Sequence, residues 1–352
     1  MWRERYWLVV IGFGSCLGLL AMSLVWHQDQ MTSAKIELGR HLFYETRLSQ
    51  TNQIACASCH QQMFAFSDGR QTSVNVHGEK GRRNASALFN LAQNTSFTWA
   101  NPLQTELAFQ ALIPLFGDDP IEMAAAGVAQ IRQRLAGASI DYPALFRSAF
   151  GSDEINLARI TAALAAFQGQ LIAKDSRYDR YLAGQLDALT EFELAGLALF
   201  ESERLGCRQC HGGDNFNQFS GKRSNPEDNF HNTGLYYTET GYPNSDLGLY
   251  EVTFDAADNG KFKSPSLRNV GVSAPYMHDG SMRYLAQVID HYARGGSVNL
   301  SGRMGDGKFN PNKSELIKGF MITEQETNQL VAFLMSLTDE TLLSDPNLAK
   351  PE

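Results

Sequence analysis

Apolar residues recur at helical spacing in two separate stretches of the chain. Ile160–Leu171 (ITAALAAFQGQL) and Leu330–Leu337 (LVAFLMSL) each place an apolar stripe along one face, which predicts two core-facing helices. Glu324, Gln325 and Glu326 supply acidic character to the first turn of the later helix, where it suits the helix dipole. Segments rich in Gly, Asn, Asp and Ser at 212–234, 238–247 and 295–313 predict long loops, of the kind that often wraps a ligand. No region alternates as strands do, and no tract is of low complexity. The pattern predicts an all-α fold.

A second pattern is a repeat. Gly39, Leu42, Phe43, Arg47 and Leu48 have the same internal spacing as Gly196, Leu199, Phe200, Arg204 and Leu205. Each set runs into a Cys-x-x-Cys-His motif, which predicts two domains of one design. The expected boundaries are 31–185 and 186–340, with Asp187–Thr190 opening the second domain and 341–352 a tail.

The N-terminus follows another rule. Arg3 and Arg5 precede an uncharged apolar run over 6–26, long enough to cross a bilayer at ~1.5 Å per residue. Residues 1–30 therefore read as a signal peptide or signal anchor, with basic flanks inside and the body of the chain exported. No A-x-A pattern closes the run, and a retained inner-membrane anchor is favoured over a cleaved signal. The expected location is the periplasm.

Composition adds limits. The 352 residues are 43% hydrophobic and 19% charged, which excludes disorder and coiled coil. A net charge of −8 gives no electrostatic case for nucleic acid. Of the five cysteines, Cys16 lies in the apolar run, and the other four form the pairs Cys56/Cys59 and Cys207/Cys210.

Those pairs carry the chemistry. Cys56-Ala57-Ser58-Cys59-His60 and Cys207-Arg208-Gln209-Cys210-His211 match the c-type haem attachment motif. Two thiols add to the vinyl groups of one porphyrin, and the adjacent histidine becomes the proximal iron ligand. Structural zinc would have to join pairs about 150 residues apart and leave both histidines as coincidence. A redox dithiol lacks its usual βαβ setting. Two covalent c-type haems are expected.

The stretches GRHLFYETRLS, CASCH, GEKGRRNASALFN, TWANP, PIEM, CRQCH, FHNTGLY and SPSLRNVGVSAPYMHDGSMRYLAQVIDHYARGG resemble the di-haem cytochrome c peroxidase/MauG family, from Ile36 to Asp339. TWANP followed by ALIPLFGDDPIEM looks most like the MbnH branch, di-haem enzymes associated with copper-peptide clusters. The resemblance implies two tandem cytochrome c-like domains around the haems. It also implies an oxidoreductase that uses H2O2, or O2 plus electrons, to reach a high-valent haem state and oxidise an aromatic residue, tryptophan above all, of a partner protein. The alternative is a peroxidase that reduces H2O2 with electrons from a small cytochrome or cupredoxin. Either reading needs a periplasmic protein docking near the second haem.

Site roles follow from the resemblance residue by residue. His60 and His211 match the proximal ligands, and the sixth ligand of the second haem falls 14 residues after His278 of Pro275-Tyr276-Met277-His278, at Tyr292. Peroxidases of the family carry methionine there and MauG-type enzymes tyrosine. A thioether raises the potential, whereas a phenolate is a hard donor that favours higher oxidation states. Tyr292 as a half-buried aromatic, with Met277 or Met282 as ligand, is the competing register.

Trp99 matches the tryptophan between the haems, and Glu122 the distal acid of the peroxide-binding haem, with Gln110 and Pro114 as its pocket neighbours. Asn84 and the backbone carbonyls of Ser273 and Pro275 match a calcium site. His77 lies near the position of a resting-state iron ligand but one residue out of register, and a solvated loop histidine is the competing reading. His231 and His278 fall in family motifs as packing residues. His27, His41 and His291 receive no role.

Overall fold

The computed structural model describes residues 32–217, 226–238, 242–243, 245–298 and 305–352. The expected leader at 1–30 and parts of the three long loops lie outside the described residues. Among the described residues no helix is long and apolar enough to cross a membrane. Helices dominate, and the named strands are two residues each, Phe230–His231 antiparallel to Phe262–Lys263.

Two helix pairs organise the molecule. In the first half, the helix over 32–43 crosses Leu157–Gln168 at Gly39. A Cβ there would sit 1.9 Å from the Ala163 carbonyl oxygen and 2.8 Å from Phe167 Cβ. In the second half, Glu191–Glu201 crosses Glu324–Ser336 at Gly196, where a Cβ would meet the Gln329 oxygen at 2.0 Å and Phe333 Cβ at 2.8 Å. The duplicated glycines are thus the points where two backbones touch, and no other residue fits without displacing a helix.

One turn beyond each glycine comes a phenylalanine that closes an aromatic triad. Phe43 lies 6.1 Å from Phe66 and 5.2 Å from Phe167, ring centre to ring centre. Phe200 lies 5.7 Å from Phe216 and 5.3 Å from Phe333. Tilted pairs of this kind add about 0.5–1.5 kcal/mol each beyond their buried area.

The repeat continues where the sequence patterns did not reveal it. Asn90 and Asn269 both take left-handed backbone conformations, with φ of 49° and 55°. The Asn90 amide N–H donates to Leu171 O and its side-chain oxygen accepts from Ala173 N. Asn269 does the same with Leu337 O and Asp339 N. Each asparagine ties the turn after one of the long core helices to the loop lining its own half. Asp339 then joins the halves, its carboxylate accepting from the amides of Lys174 and Asp175.

The ends of the halves are exchanged across the expected boundaries. Tyr178, before residue 186, packs its ring on Phe216 and Phe333 of the second core. The expected tail folds back, burying Leu342 and Leu348 in the first core. Tyr44 OH donates to Leu348 O, and Gln62 Nε2 donates to the carbonyls of Leu342 and Asp345. Cysteine spacing and helical periodicity hold no trace of this strap, because it depends on where the chain ends return in space.

Candidate functional site

Each Cys-x-x-Cys forms a single helical turn, Cys56–Cys59 and Cys207–Cys210, which brings its two sulfurs to one face. Ser58 Oγ accepts from the Ala55 amide and caps the first turn. Gly206, at φ 69°, opens the second. None of the four cysteines is in a disulfide, and burial pushes the Cys56, Cys207 and Cys210 thiols up to about 12 and Cys59 to about 11. Cys56 packs on the first core and Cys207 on the second, so the two pairs do not converge on one ion.

The histidines end these turns in matching poses. His60 Nδ1 donates to the Phe66 carbonyl at 2.8 Å, and His211 Nδ1 to the Phe216 carbonyl at 3.0 Å. Those carbonyls are presented by left-handed residues, with φ 60° at Phe66 and 51° at Phe216. Committing Nδ1 as donor leaves Nε2 unprotonated, the tautomer that binds a metal. Burial lowers the pKa of both imidazoles, which favours the same neutral form. Paired free thiols beside an oriented neutral imidazole fit a covalently held haem at each motif.

Around the first motif, Glu122 comes close enough to the cysteines to act on both through its charge. Burial alone raises its carboxyl above the ordinary range. Its backbone is held from two sides. Glu122 O accepts from Val76 N at 2.8 Å, and the following Met123 N donates to Pro114 O at 3.0 Å. Pro114 thus anchors the acid's segment from within helix Leu112–Phe116, and Gln110 ends the preceding short helix, Leu107–Gln110. His77 goes elsewhere. It is exposed in an Asx turn, where Asn75 Oδ1 accepts from the His77 and Glu79 amides, and this turn does not carry its imidazole inward.

Around the second motif, Tyr292 sits on helix Leu285–Ala293, near the Cys207–Cys210 turn. Burial raises its phenol well above the usual value. Met277 and Met282 lie instead in the turn closed by the Tyr276–Met282 bridge, Met277 with φ 72°. Burial brings His231 down to about 4, with nearby His211 lowering it further. His278 stacks on Phe262 at 3.6 Å with the rings 13° apart, a packing role.

His291, given no role from sequence, is a clamp on the Tyr292 helix. Its Nε2 donates to Thr233 O at 3.0 Å, and its Nδ1 pairs with Ser297 Oγ at 3.1 Å. Burial lowers it to about 4, so it stays neutral and can donate and accept at once. A histidine next to a tyrosine on an amphipathic helix gives no sign of this, because Thr233 is 58 residues away.

Trp99 lies between the two halves. Its Nε1 donates to the Asn84 carbonyl at 2.9 Å, and its own carbonyl accepts from Lys263 N at 2.8 Å. Asn84 N donates in turn to His278 O at 2.7 Å, and Asn84 Nδ2 to Arg70 O at 2.8 Å. Asn84 therefore joins the Trp99 loop to the segment that contains Ser273 and Pro275. Among the described residues no cluster of three or more His, Cys, Asp or Glu forms a metal cage.

A family model described as di-haem cytochrome c peroxidase matches residues 33–187. Methylamine utilization protein MauG of Methylorubrum extorquens is 33% identical over 321 residues, covering 90% of this chain and 80% of that protein. Cytochrome c551 peroxidase of Nitrosomonas europaea is 32% identical over 305 residues, covering 86% and 80%. Among solved structures, a MauG-like protein associated with microbial copper homeostasis is 44% identical with a TM-score of 0.84, over 90% of this chain and 93% of that one. The diheme peroxidase BthA from Burkholderia thailandensis shares the fold, at 21% identity and a TM-score of 0.66 over 90% of each chain.

Proposed function

The chain belongs to the di-haem cytochrome c peroxidase/MauG family, and from that premise we propose that it is an exported oxidoreductase using peroxide to oxidise an aromatic residue, tryptophan foremost, of a docked partner protein. Family membership implies two c-type haems, held here by Cys56, Cys59 and His60 and by Cys207, Cys210 and His211. When bound, they would supply the redox centres that give two electrons to each peroxide and pass the resulting oxidising equivalents onward.

The observation that carries this reading is Tyr292, buried near the second cysteine pair on a helix clamped by His291. A phenolate there is a hard donor and favours an oxidised centre over an electron-accepting one. Glu122 moves the peroxide proton from the inner to the outer oxygen, and burial raises its proton affinity toward working pH. Gln110 and Pro114 shape its surroundings. Trp99, with its N–H fixed on Asn84, is the stepping stone between the halves. Asn84, with the Ser273 and Pro275 carbonyls, would hold one calcium ion. His77 is assigned to solvent rather than to the iron, in keeping with its exposed turn, and this favours the present reading over the simple peroxidase.

The finer assignment is to the MbnH branch and a copper-related partner, supported by the 44% identity to the MauG-like copper-homeostasis protein. The setting is the periplasm, with residues 1–30 as leader or inner-membrane anchor and domains at 31–185 and 186–340. The test is to mix holoenzyme, peroxide and a candidate periplasmic copper-binding protein, then map the partner by mass spectrometry. Oxygen incorporated at one partner tryptophan, dependent on Tyr292, supports the proposal. Rapid peroxide consumption that requires a reduced small cytochrome and leaves the partner unmodified contradicts it.

A further inference from the structure

Trp99 and Tyr236 pack against one aromatic cluster of Ala100, Tyr242 and Phe262. The rings of Tyr236 and Tyr242 are 5.5 Å apart, and those of Tyr242 and Phe262 are 5.9 Å apart. At the far end of this path the Tyr236 hydroxyl donates to Asp279 Oδ2. Asp279 directly follows His278, whose carbonyl accepts from Asn84, the residue whose own carbonyl holds the Trp99 N–H. Base and tryptophan are thus fixed in one frame.

A phenol gives up an electron readily only when its proton can leave with it, and a buried phenol needs a hydrogen-bonded base for that. Tyr236 is half-buried and hydrogen-bonded to a carboxylate. Burial and the Asp279 charge hold its phenol protonated in the resting protein, so the proton is present until the electron goes.

Resting on the peroxide reading above, we propose that Tyr236 with Asp279 is a redox-active pair that refills Trp99 when no partner is docked. Oxidised Trp99 takes one electron from Tyr236. The Tyr236 O–H bond breaks, the proton passes to Asp279 Oδ2, and Trp99 returns to its neutral closed-shell form. The products are a neutral tyrosyl radical and a protonated Asp279. An external one-electron reductant of the ascorbate class returns one electron, Asp279 returns the proton, and the pair resets. The pair draws holes away from the inter-haem region along a path ending next to Tyr237, which is 36% exposed.

The experiment is rapid-freeze EPR of the holoenzyme after stoichiometric H2O2 without partner, with protein carrying ordinary or ring-deuterated tyrosine. Wild type should give a radical signal that narrows on deuteration. Tyr236→Phe should abolish it, and Asp279→Asn, which keeps the ring but removes the base, should lower its yield at least about tenfold. An undiminished deuterium-sensitive signal in both variants overturns the proposal. Flash-quench photo-oxidation with a ruthenium complex injects the same hole without peroxide and separates this pair from the peroxide reading. If peroxide yields nothing but photo-oxidation yields the Tyr236 signal, the peroxide chemistry fails and the pair stands. If photo-oxidation of wild type yields no tyrosyl radical, the pair fails. Asp279→Asn serves alone should Tyr236→Phe not fold.

Discussion

The two halves share a frame and differ in what faces the motif. Gly39 and Gly196, Phe43 and Phe200, Phe66 and Phe216, Asn90 and Asn269 occupy matching places. Both motif histidines donate Nδ1 to the carbonyl of a left-handed phenylalanine. Near the first motif lies a half-buried carboxyl on a loop, and near the second a phenol on a clamped helix. The frame fixes where a haem is held, and the inserted segments decide what that haem does. Function here lives in the site grafted onto a duplicated scaffold.

The sharpest way to break the comparison is to delete one motif at a time. Cys207→Ser with Cys210→Ser should leave one covalent haem per chain on a denaturing gel stained for haem. The Cys56/Cys59 pair should do the same, and loss of both haems from either variant would mean that the halves do not load independently. Next in size is Glu122→Gln, expected to slow the reaction with peroxide by about 10²–10⁴-fold. The working form is the carboxylate, so the wild-type rate should fall as pH drops through a pKa raised above the ordinary range. Glu122→Gln should flatten that limb in a stopped-flow pH profile, while spectra of the second haem stay unchanged.

Gly39→Ala and Gly196→Ala test the frame itself. Each new methyl would overlap a helix carbonyl, at 1.9 Å and 2.0 Å, and should cost about 3 kcal/mol by denaturant titration. Near-equal losses are expected. Asn90→Ala and Asn269→Ala should each cost about 2 kcal/mol, from a lost buried hydrogen bond and a left-handed backbone that alanine resists. Glycine at the same sites should recover the backbone part. A loss confined to one half would mean that the asparagine motif is shared in form only.

Much of the frame was legible where chemistry or backbone contact forces a residue type. Cys-x-x-Cys-His admits no substitute, and glycine at a helix crossing keeps its spacing to Phe43 and Phe200 because one helix carries both. Legibility ended where the halves differ in loop length. His60 reaches its carbonyl at Phe66 six residues on, His211 at Phe216 five residues on, and the asparagines lie at unequal distances from their motifs. Asn90 and Asn269 therefore look unrelated in one dimension. His291 and the C-terminal strap were hidden for a simpler reason, since their partners, Thr233 and the Tyr44–Gln62 region, are remote in sequence. His77 shows the reverse case: nearness to a family position drew attention to a side chain that its own Asx turn holds outside.

In the proposed function Tyr292, not a methionine, serves the second haem and keeps the oxidised protein long-lived. The most direct measurement is optical and EPR spectroscopy of the diferric wild type and Tyr292→Met, before and after one equivalent of H2O2. Wild type should show one high-spin and one low-spin haem, and peroxide should convert both at once to a persistent oxidised state without prior reduction. The Met variant should lose that persistence. If wild type is inert to peroxide until one electron is added, or if Tyr292→Met leaves the oxidised state unchanged, the account is contradicted.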